Sequence, residues 1–233
     1  MNNNFSAMIL AAGYGKRMLP LTNDIPKPLI KVNNVSLLKN NIDFLLKLGC
    51  KNIVINTHYK HELILKFINK FYNSSNIIIS YEKMILDTAG GVKNAINLFN
   101  NKRIIVTNCD IFWTKKNEQD VKNLIFNFET FDQCRLLLVD MDKANGINKN
   151  DGDFYFENEL VKRWEPGNKK FIYSGLQMLN LEILNRFEDK KFSFNKVWDF
   201  LIKNGSLHAN IMYSNLYHVG DLNGLKTANN SLG

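Results

Sequence analysis

Apolar residues fall along this chain in two alternating rhythms. Short unbroken runs at Ala7 to Ala11, Asn52 to Asn56, Asn76 to Tyr81 and Arg103 to Thr107 read as buried strands of a parallel sheet. Between them, apolar residues recur at helical spacing. The clearest case is Ser36 to Leu48, where Leu37, Leu38, Ile42, Leu45, Leu46 and Leu48 keep the period, Ser36 stands as N-cap and Gly49 as stop. Further helices are predicted near Lys60 to Tyr72, Gly91 to Leu98 and Glu118 to Phe131, with a strand at Arg135 to Asp140. Repeated strand–helix–strand units of this kind imply a mostly parallel sheet with helices on both faces.

From Asp151 the rhythm changes. Phe154, Phe156, Leu160, Val161 and Trp164 alternate around Asn158-Glu159, the pattern of an antiparallel hairpin. A strand at Phe171 to Leu179, a helix at Asn195 to Lys203 and a strand at Leu207 to Tyr213 follow. The expected fold is therefore α/β, a three-layer α/β/α Rossmann-like sandwich whose central sheet is mixed and mostly parallel. No repeat or linker divides the sequence, so residues 1–233 are read as one domain with halves of about 1–140 and 141–233.

Composition narrows the classes. At 233 residues, 45% hydrophobic and 22% charged, the chain can bury a substantial core, which excludes a disordered, collagenous or coiled-coil protein. No apolar run approaches the roughly 20 residues that cross a bilayer, and Met1 to Ser6 lacks a signal-peptide pattern. A cytoplasmic location with no membrane partner is expected. Cys50, Cys109 and Cys134 are too scattered for a disulfide framework or a zinc site. The formal charge of +8 favours anionic partners. Because the basic residues are dispersed, charge alone leaves nucleic acid, nucleotides and phosphorylated sugars all open.

Candidate chemistry concentrates after the first strand, in Leu10-Ala11-Ala12-Gly13-Tyr14-Gly15-Lys16-Arg17-Met18-Leu19-Pro20-Leu21-Thr22, closed by Pro26-Lys27-Pro28. Small residues let backbone N–H groups approach a phosphate, and Lys16 and Arg17 add charge along it. A Walker A loop is absent because Arg17 follows Gly15-Lys16. A dinucleotide fingerprint is absent too: Met18 stands at its third glycine, and the second strand ends in Asn56 instead of an acid. Prolines stiffen the loop around Lys27, which is either a held ammonium or a solvated surface lysine. Asp110, after Thr107-Asn108-Cys109, falls at the carboxyl end of a strand, where open α/β sheets place ligands. There it either holds Mg2+ against a triphosphate or forms a turn. Leu86-Asp87-Thr88-Ala89-Gly90-Gly91 is either a close approach to a base or a plain strand-to-helix turn.

The loop as a whole resembles the signature of the sugar-phosphate nucleotidyltransferases, Leu-Ala-Ala-Gly-x-Gly-x-Arg-Met-x-Pro-Leu-Thr followed by Pro-Lys-Pro-Leu. That resemblance implies a Mg2+-dependent reaction between a nucleoside triphosphate and a sugar 1-phosphate, without nucleic acid, in a monomer or homodimer. It implies a nucleotide site of Leu10, Ala11, Ala12, Gly13, Gly15, Lys16, Arg17, Thr88, Gly90, Gly91 and Asn108. Catalytic roles fall on Arg17 at the departing pyrophosphate, Lys27 at the reacting phosphates and Asp110 at the metal. For the sugar phosphate it points to Gly152, Glu165, Ser174 and Gly175. Here Trp164-Glu165-Pro166 has Glu where the family carries Lys, leaving phosphate contact to Lys162, to Arg163 or to nothing. His218-Val219-Gly220-Asp221 stands where many members carry Asp-Val-Gly-Thr, whose Asp is a second metal contact. His218 and Asp221 are thus metal candidates, with helix capping as the alternative for Asp221. Overall similarity within the family points first to UTP with N-acetylmuramate 1-phosphate, and next to mannose-1-phosphate guanylyltransferases. The departures at Cys109, Glu165 and His218 keep a second class in view, a nucleotide- or RNA-binding protein that retains the fold without turnover.

Overall fold

The computed structural model describes residues 5–72, 76–157 and 160–233. In chain order, β1 (Ser6–Leu10) leads through the glycine loop to a short hairpin, β2 (Lys31–Val32) and β3 (Val35–Ser36). Then come α1 (Leu37–Lys47), β4 (Asn52–Thr57), α2 (His61–Phe71), β5 (Ile77–Tyr81), α3 (Asp87–Asn94), β6 (Arg103–Asn108), α4 (Glu118–Phe126) and β7 (Cys134–Asp140). The remainder comprises β8 (Ala144–Asn145), β9 (Phe154–Glu157), β10 (Leu160–Arg163), β11 (Phe171–Asn180), α5 (Phe194–Lys203), β12 (Leu207–Met212), β13 (Leu216–Tyr217) and α6 (Leu222–Leu232). None of the described helices is long and apolar enough to cross a membrane.

Strands β5, β4, β1 and β6 pair in parallel, β11 enters antiparallel between β6 and β7, and β12 lies parallel beside β7. The sheet is thus mixed and mostly parallel, as expected. Side chains alternate across it: Ala7 and Ile9 of β1 join one core with α1, α2, α4 and α6, whereas Met8 joins the other with α3 and α5. Those two cores make the three layers. Hairpin β9–β10 pairs Phe156 with Val161 and attaches to β11 through Phe154 and Phe171, while its expected Asn158-Glu159 turn lies outside the described residues.

Local signals explain most boundaries. Ser36 Oγ accepts the Lys39 N–H at 3.2 Å and starts α1, and Gly49, at φ 93°, follows its end. Two helices differ from expectation. α4 stops at Phe126, short of Phe131, because Asp132 accepts the Glu129 N–H in a new turn and Phe128 is drawn into the core. α3 begins at Asp87, four residues before the expected Gly91, so Gly90 and Gly91 sit inside the helix. The reason is tertiary: the Ala89 and Gly90 N–H groups donate to the Phe192 carbonyl, at 3.1 and 2.9 Å, pulling α3 onto the segment before α5.

A Cβ on Gly90 would lie 2.5 Å from the Lys190 carbonyl oxygen. Helix propensity favours alanine there by about 1 kcal/mol, but a clash with backbone outweighs it. Gly90→Ala is therefore expected to lower the unfolding free energy by about 1–3 kcal/mol in urea titrations. A stabilised variant would contradict this packing.

Candidate functional site

Parallel pairing brings three strand ends level: Leu10 lies in register with Asn56 on one side and Asn108 on the other. The chain leaves all three here, and the glycine loop, the segment before α3 and the loop after β6 gather at one edge of the sheet. They enclose a cleft of about 380 Å³ lined by Leu10, Ala11, Ala12, Gly13, Gly15, Lys16, Arg17, Lys27, Thr88, Asn108 and Asp110, among others. A second cavity, of about 640 Å³, adjoins it and shares Arg17, Asp87, Thr88 and Asn108.

At the first cleft, Lys27 Nζ donates to Asp110 Oδ2 at 2.7 Å, and the Gly220 carbonyl lies 3.4 Å from the same ammonium. Both partners of the pair are half-buried. Burial raises the Asp110 carboxyl, but the Lys27 charge and the His218 ring, 3.4 Å away through Nε2, outweigh it and hold it well below the usual carboxylate range. Asp110 Oδ1 is shut off from solvent with no hydrogen-bond partner among the described residues. An anionic carboxylate at the edge of this cleft suits a hard divalent cation, whose other positions would go to substrate oxygens and water. Beside it, burial reinforced by Asp110 pushes the Cys109 thiol up, which makes it a poor nucleophile.

Several sequence candidates do not reach either cavity wall. Gly90 and Gly91 pack inside α3; a Cβ on Gly91 would meet Asn56 Nδ2 and Glu82 Oε1, each at 2.7 Å. Gly152 packs against the Trp164 ring, Ser174 is wholly buried, and Glu165 is exposed on the turn after β10. Gly175 does line the second cavity, at φ 84° inside the irregularity of β11 between Tyr173 and Gln177. Thr88 lines both cavities, and its Oγ1 accepts the Phe194 N–H at the start of α5, at 2.9 Å. Asp221 borders the second cavity, but its Oδ1 accepts the Gly224 N–H at 2.9 Å and caps α6.

The structure also adds residues that sequence reasoning passed over. Asn56 Oδ1 accepts the Ala11 N–H at 2.8 Å, its Nδ2 donates to Glu82 Oε1 at 2.7 Å, and Glu82 Oε2 accepts the Leu86 N–H at 3.0 Å. This bracket ties the glycine loop to the segment before α3, and both side chains line the first cleft. The available signal was the polar residue ending the β4 apolar run. Of the two cations that the sequence left open for phosphate contact, Arg163 lines the second cavity, where it donates to Asp199 and Asn195 and stacks 4.8 Å over Phe154. Lys162 instead points toward Glu157, 4.0 Å away.

Comparison with known proteins places the chain in a family. The family model described as "Nucleotidyl transferase" matches residues 6–146. The N-acetylmuramate alpha-1-phosphate uridylyltransferase of Caulobacter vibrioides is 30% identical over 222 residues, covering 92% of this chain and 91% of that protein. The D-glycero-alpha-D-manno-heptose 1-phosphate guanylyltransferase of Campylobacter jejuni is 28% identical, covering 82% and 83%. Among solved structures, HddC from Yersinia pseudotuberculosis complexed with GMP-PN superposes with a TM-score of 0.80 at 24% identity, over 98% of this chain and all of that one. With its glycine loop, Lys27 and Asp110 at the strand ends, and the matching model spanning most of the sheet, the chain belongs to the nucleotidyl transferase family.

Proposed function

We propose that this chain, acting as one domain, joins a sugar 1-phosphate to a nucleoside triphosphate and releases pyrophosphate. The observation that carries the reading is the junction of two cavities beside the Lys27–Asp110 pair. One cavity has the small-residue loop suited to a triphosphate, and the other has Arg163 in its wall. The sugar phosphate brings its own nucleophile. One of its phosphate oxygens attacks the α-phosphorus in line, a phosphorus–oxygen bond forms, and the bond to the β-phosphate bridging oxygen breaks as pyrophosphate leaves. Such chemistry depends on positioning and charge neutralisation, so no serine or cysteine nucleophile is needed.

Within this mechanism the backbone of Ala11 to Gly15 lies along the triphosphate. Ala11 is kept in place by Asn56. Lys27 moves its ammonium from Asp110 to the reacting phosphates, and Arg17, exposed where the cavities meet, faces the departing pyrophosphate. Arg163, steadied by Asp199 and Asn195, takes the phosphate of the sugar. Asp110 would hold the divalent cation, with Mg2+ as the physiological ion; when bound, it supplies neutralising charge to the phosphates.

For substrates we propose UTP and N-acetylmuramate 1-phosphate, a sugar that carries a carboxylate besides its phosphate. The Caulobacter relative supports this; Arg163 and Lys149 line the second cavity, paired with Asp199 and Asp153. GTP with a heptose or mannose 1-phosphate is the second reading, supported by the Campylobacter relative.

A matrix of five nucleoside triphosphates against N-acetylmuramate, N-acetylglucosamine, glucose, mannose and heptose 1-phosphates, read by pyrophosphate release, is expected to respond at one pairing. Silence throughout, from folded chain that binds a triphosphate, would overturn the reading. With the active pair, Asp110→Ala is expected to abolish turnover while the fold persists by circular dichroism; near-normal activity would remove Asp110 from the site. Lys27→Ala should lower kcat by a factor on the order of 10² to 10³, the usual loss for one preorganised charge stabiliser. Arg163→Ala should raise KM for the sugar phosphate roughly tenfold or more, with KM for the nucleotide little changed. An unaltered sugar-phosphate KM would return Arg163 to a purely structural contact.

A further inference from the structure

We infer that the Tyr173 hydroxyl, at an aromatic corner of the second cavity, donates to the acetyl carbonyl of a 2-acetamido sugar 1-phosphate and so selects that class of sugar. This deepens the reading above and rests on it for the occupant of the cavity.

Tyr173 is half-buried in β11, opposite Leu138 of β7, the last residue in register before the strand becomes irregular. Asp153 Oδ2 accepts its backbone N–H at 3.0 Å, and Lys149 holds Asp153 by the other oxygen. Its ring packs edge to face with the Trp198 indole, the centroids 4.7 Å apart. These contacts fix the ring, but the hydroxyl at its end has no hydrogen-bond partner among the described residues. Unlike the neighbouring Ser174 Oγ, it is not shut off from solvent. Tyr173, Trp198 and Phe194 all line the second cavity, so the open side of the phenol is that cavity. Burial pushes the phenol well above its ordinary range, which keeps it protonated and able to donate. A tyrosine hydroxyl set in packed surroundings ordinarily has a partner, and here the partner has to come from the cavity.

The corner offers little else that is polar. Trp198 Nε1–H is spent on Gln177 Oε1 at 2.8 Å, and Phe194 stacks on the indole with centroids 6.1 Å apart. An occupant of this corner therefore meets apolar ring edges and one hydrogen-bond donor. An acetamido group matches both, its methyl against the rings and its carbonyl oxygen on the hydroxyl. A sugar bearing only hydroxyls would set polar groups against those rings.

Arg163 decides which position of the sugar is read. Its guanidinium lies 5.7 Å over the same indole that Tyr173 abuts. With the phosphate on Arg163, the substituent on C2, next to the phosphorylated carbon, is the one closest to Tyr173.

N-acetylglucosamine 1-phosphate and glucose 1-phosphate differ only on C2, which makes them the probes. Saturation-transfer NMR of the full chain with either sugar, and titrations for their Kd, test the assignment without turnover. Saturating aromatic protein protons is expected to mark the acetyl methyl most strongly. The acetamido sugar should bind roughly tenfold or more tightly than glucose 1-phosphate, as a site built around a hydrogen bond discriminates against a ligand that lacks it. Tyr173→Phe keeps the ring and its packing, so it should erase most of that preference while leaving the Kd of glucose 1-phosphate within about twofold. Equal affinities in the wild type, or no binding of the acetamido sugar, overturn the inference. So does a preference that survives in Tyr173→Phe, or an equal weakening of both sugars, which would mark a structural role. Pyrophosphate release without an acetamido preference would reject the role of Tyr173 alone. A Tyr173-dependent preference in a chain that releases no pyrophosphate from any substrate pair would sustain it and reject the transfer reading.

Discussion

Lys27 and Asp110 meet across 2.7 Å from opposite sides of the cleft, one on the loop after β1 and the other just beyond β6. Holding two opposite charges in a half-buried site costs desolvation that their attraction only partly offsets, so such a pair is a weak source of stability. What it supplies is placement. Lys27 anchors the closing end of the glycine loop, and Asp110 stays ionised with one oxygen unmatched. A positive group that can move to phosphates, beside a negative group that can take a cation, gives the site its chemical capacity.

The sheet makes that meeting possible. Leu10, Asn56 and Asn108 end level because β1, β4 and β6 are parallel and in register. The Asn56–Glu82 bracket then holds the glycine loop against the segment before α3. On the far side, the antiparallel entry of β11 and its irregularity at Ser174-Gly175 bring the second half of the chain up to the same edge. Arg163 and Gly175 thus reach a cavity continuous with the one formed by the first half. Neither half alone has both walls.

Much of this was legible in the sequence because the controlling interactions are local. The run into the glycine loop, the prolines around Lys27 and the position of Asp110 after an apolar strand depend on neighbours only a few residues away. Where partners are distant, the sequence was less informative. Paired glycines ordinarily weaken a helix, yet Gly90 and Gly91 lie within α3 because the 190–192 segment and the Asn56–Glu82 pair approach too closely for a side chain. The same limit applies to Gly152 and Ser174, which are packing positions, and to Glu165, which is exposed on the turn after β10 and lines neither cavity. Asn56 was conspicuous only as a missing acid, although its amide serves both the loop and Glu82. That Arg163 and not Lys162 lines the second cavity follows from the pleat of β10, since adjacent strand residues face opposite ways.

The proposed reaction is attack by an oxygen of the sugar phosphate on the α-phosphorus in the cleft beside Lys27 and Asp110. Its most direct test is mass spectrometry of the products formed from a sugar 1-phosphate carrying 18O in its three non-bridging phosphate oxygens. In-line attack predicts a nucleotide sugar that retains all three labels, one of them in the new diphosphate bridge, together with unlabelled pyrophosphate. A nucleotide sugar missing a label, or label recovered in pyrophosphate or orthophosphate, would contradict attack by the sugar phosphate.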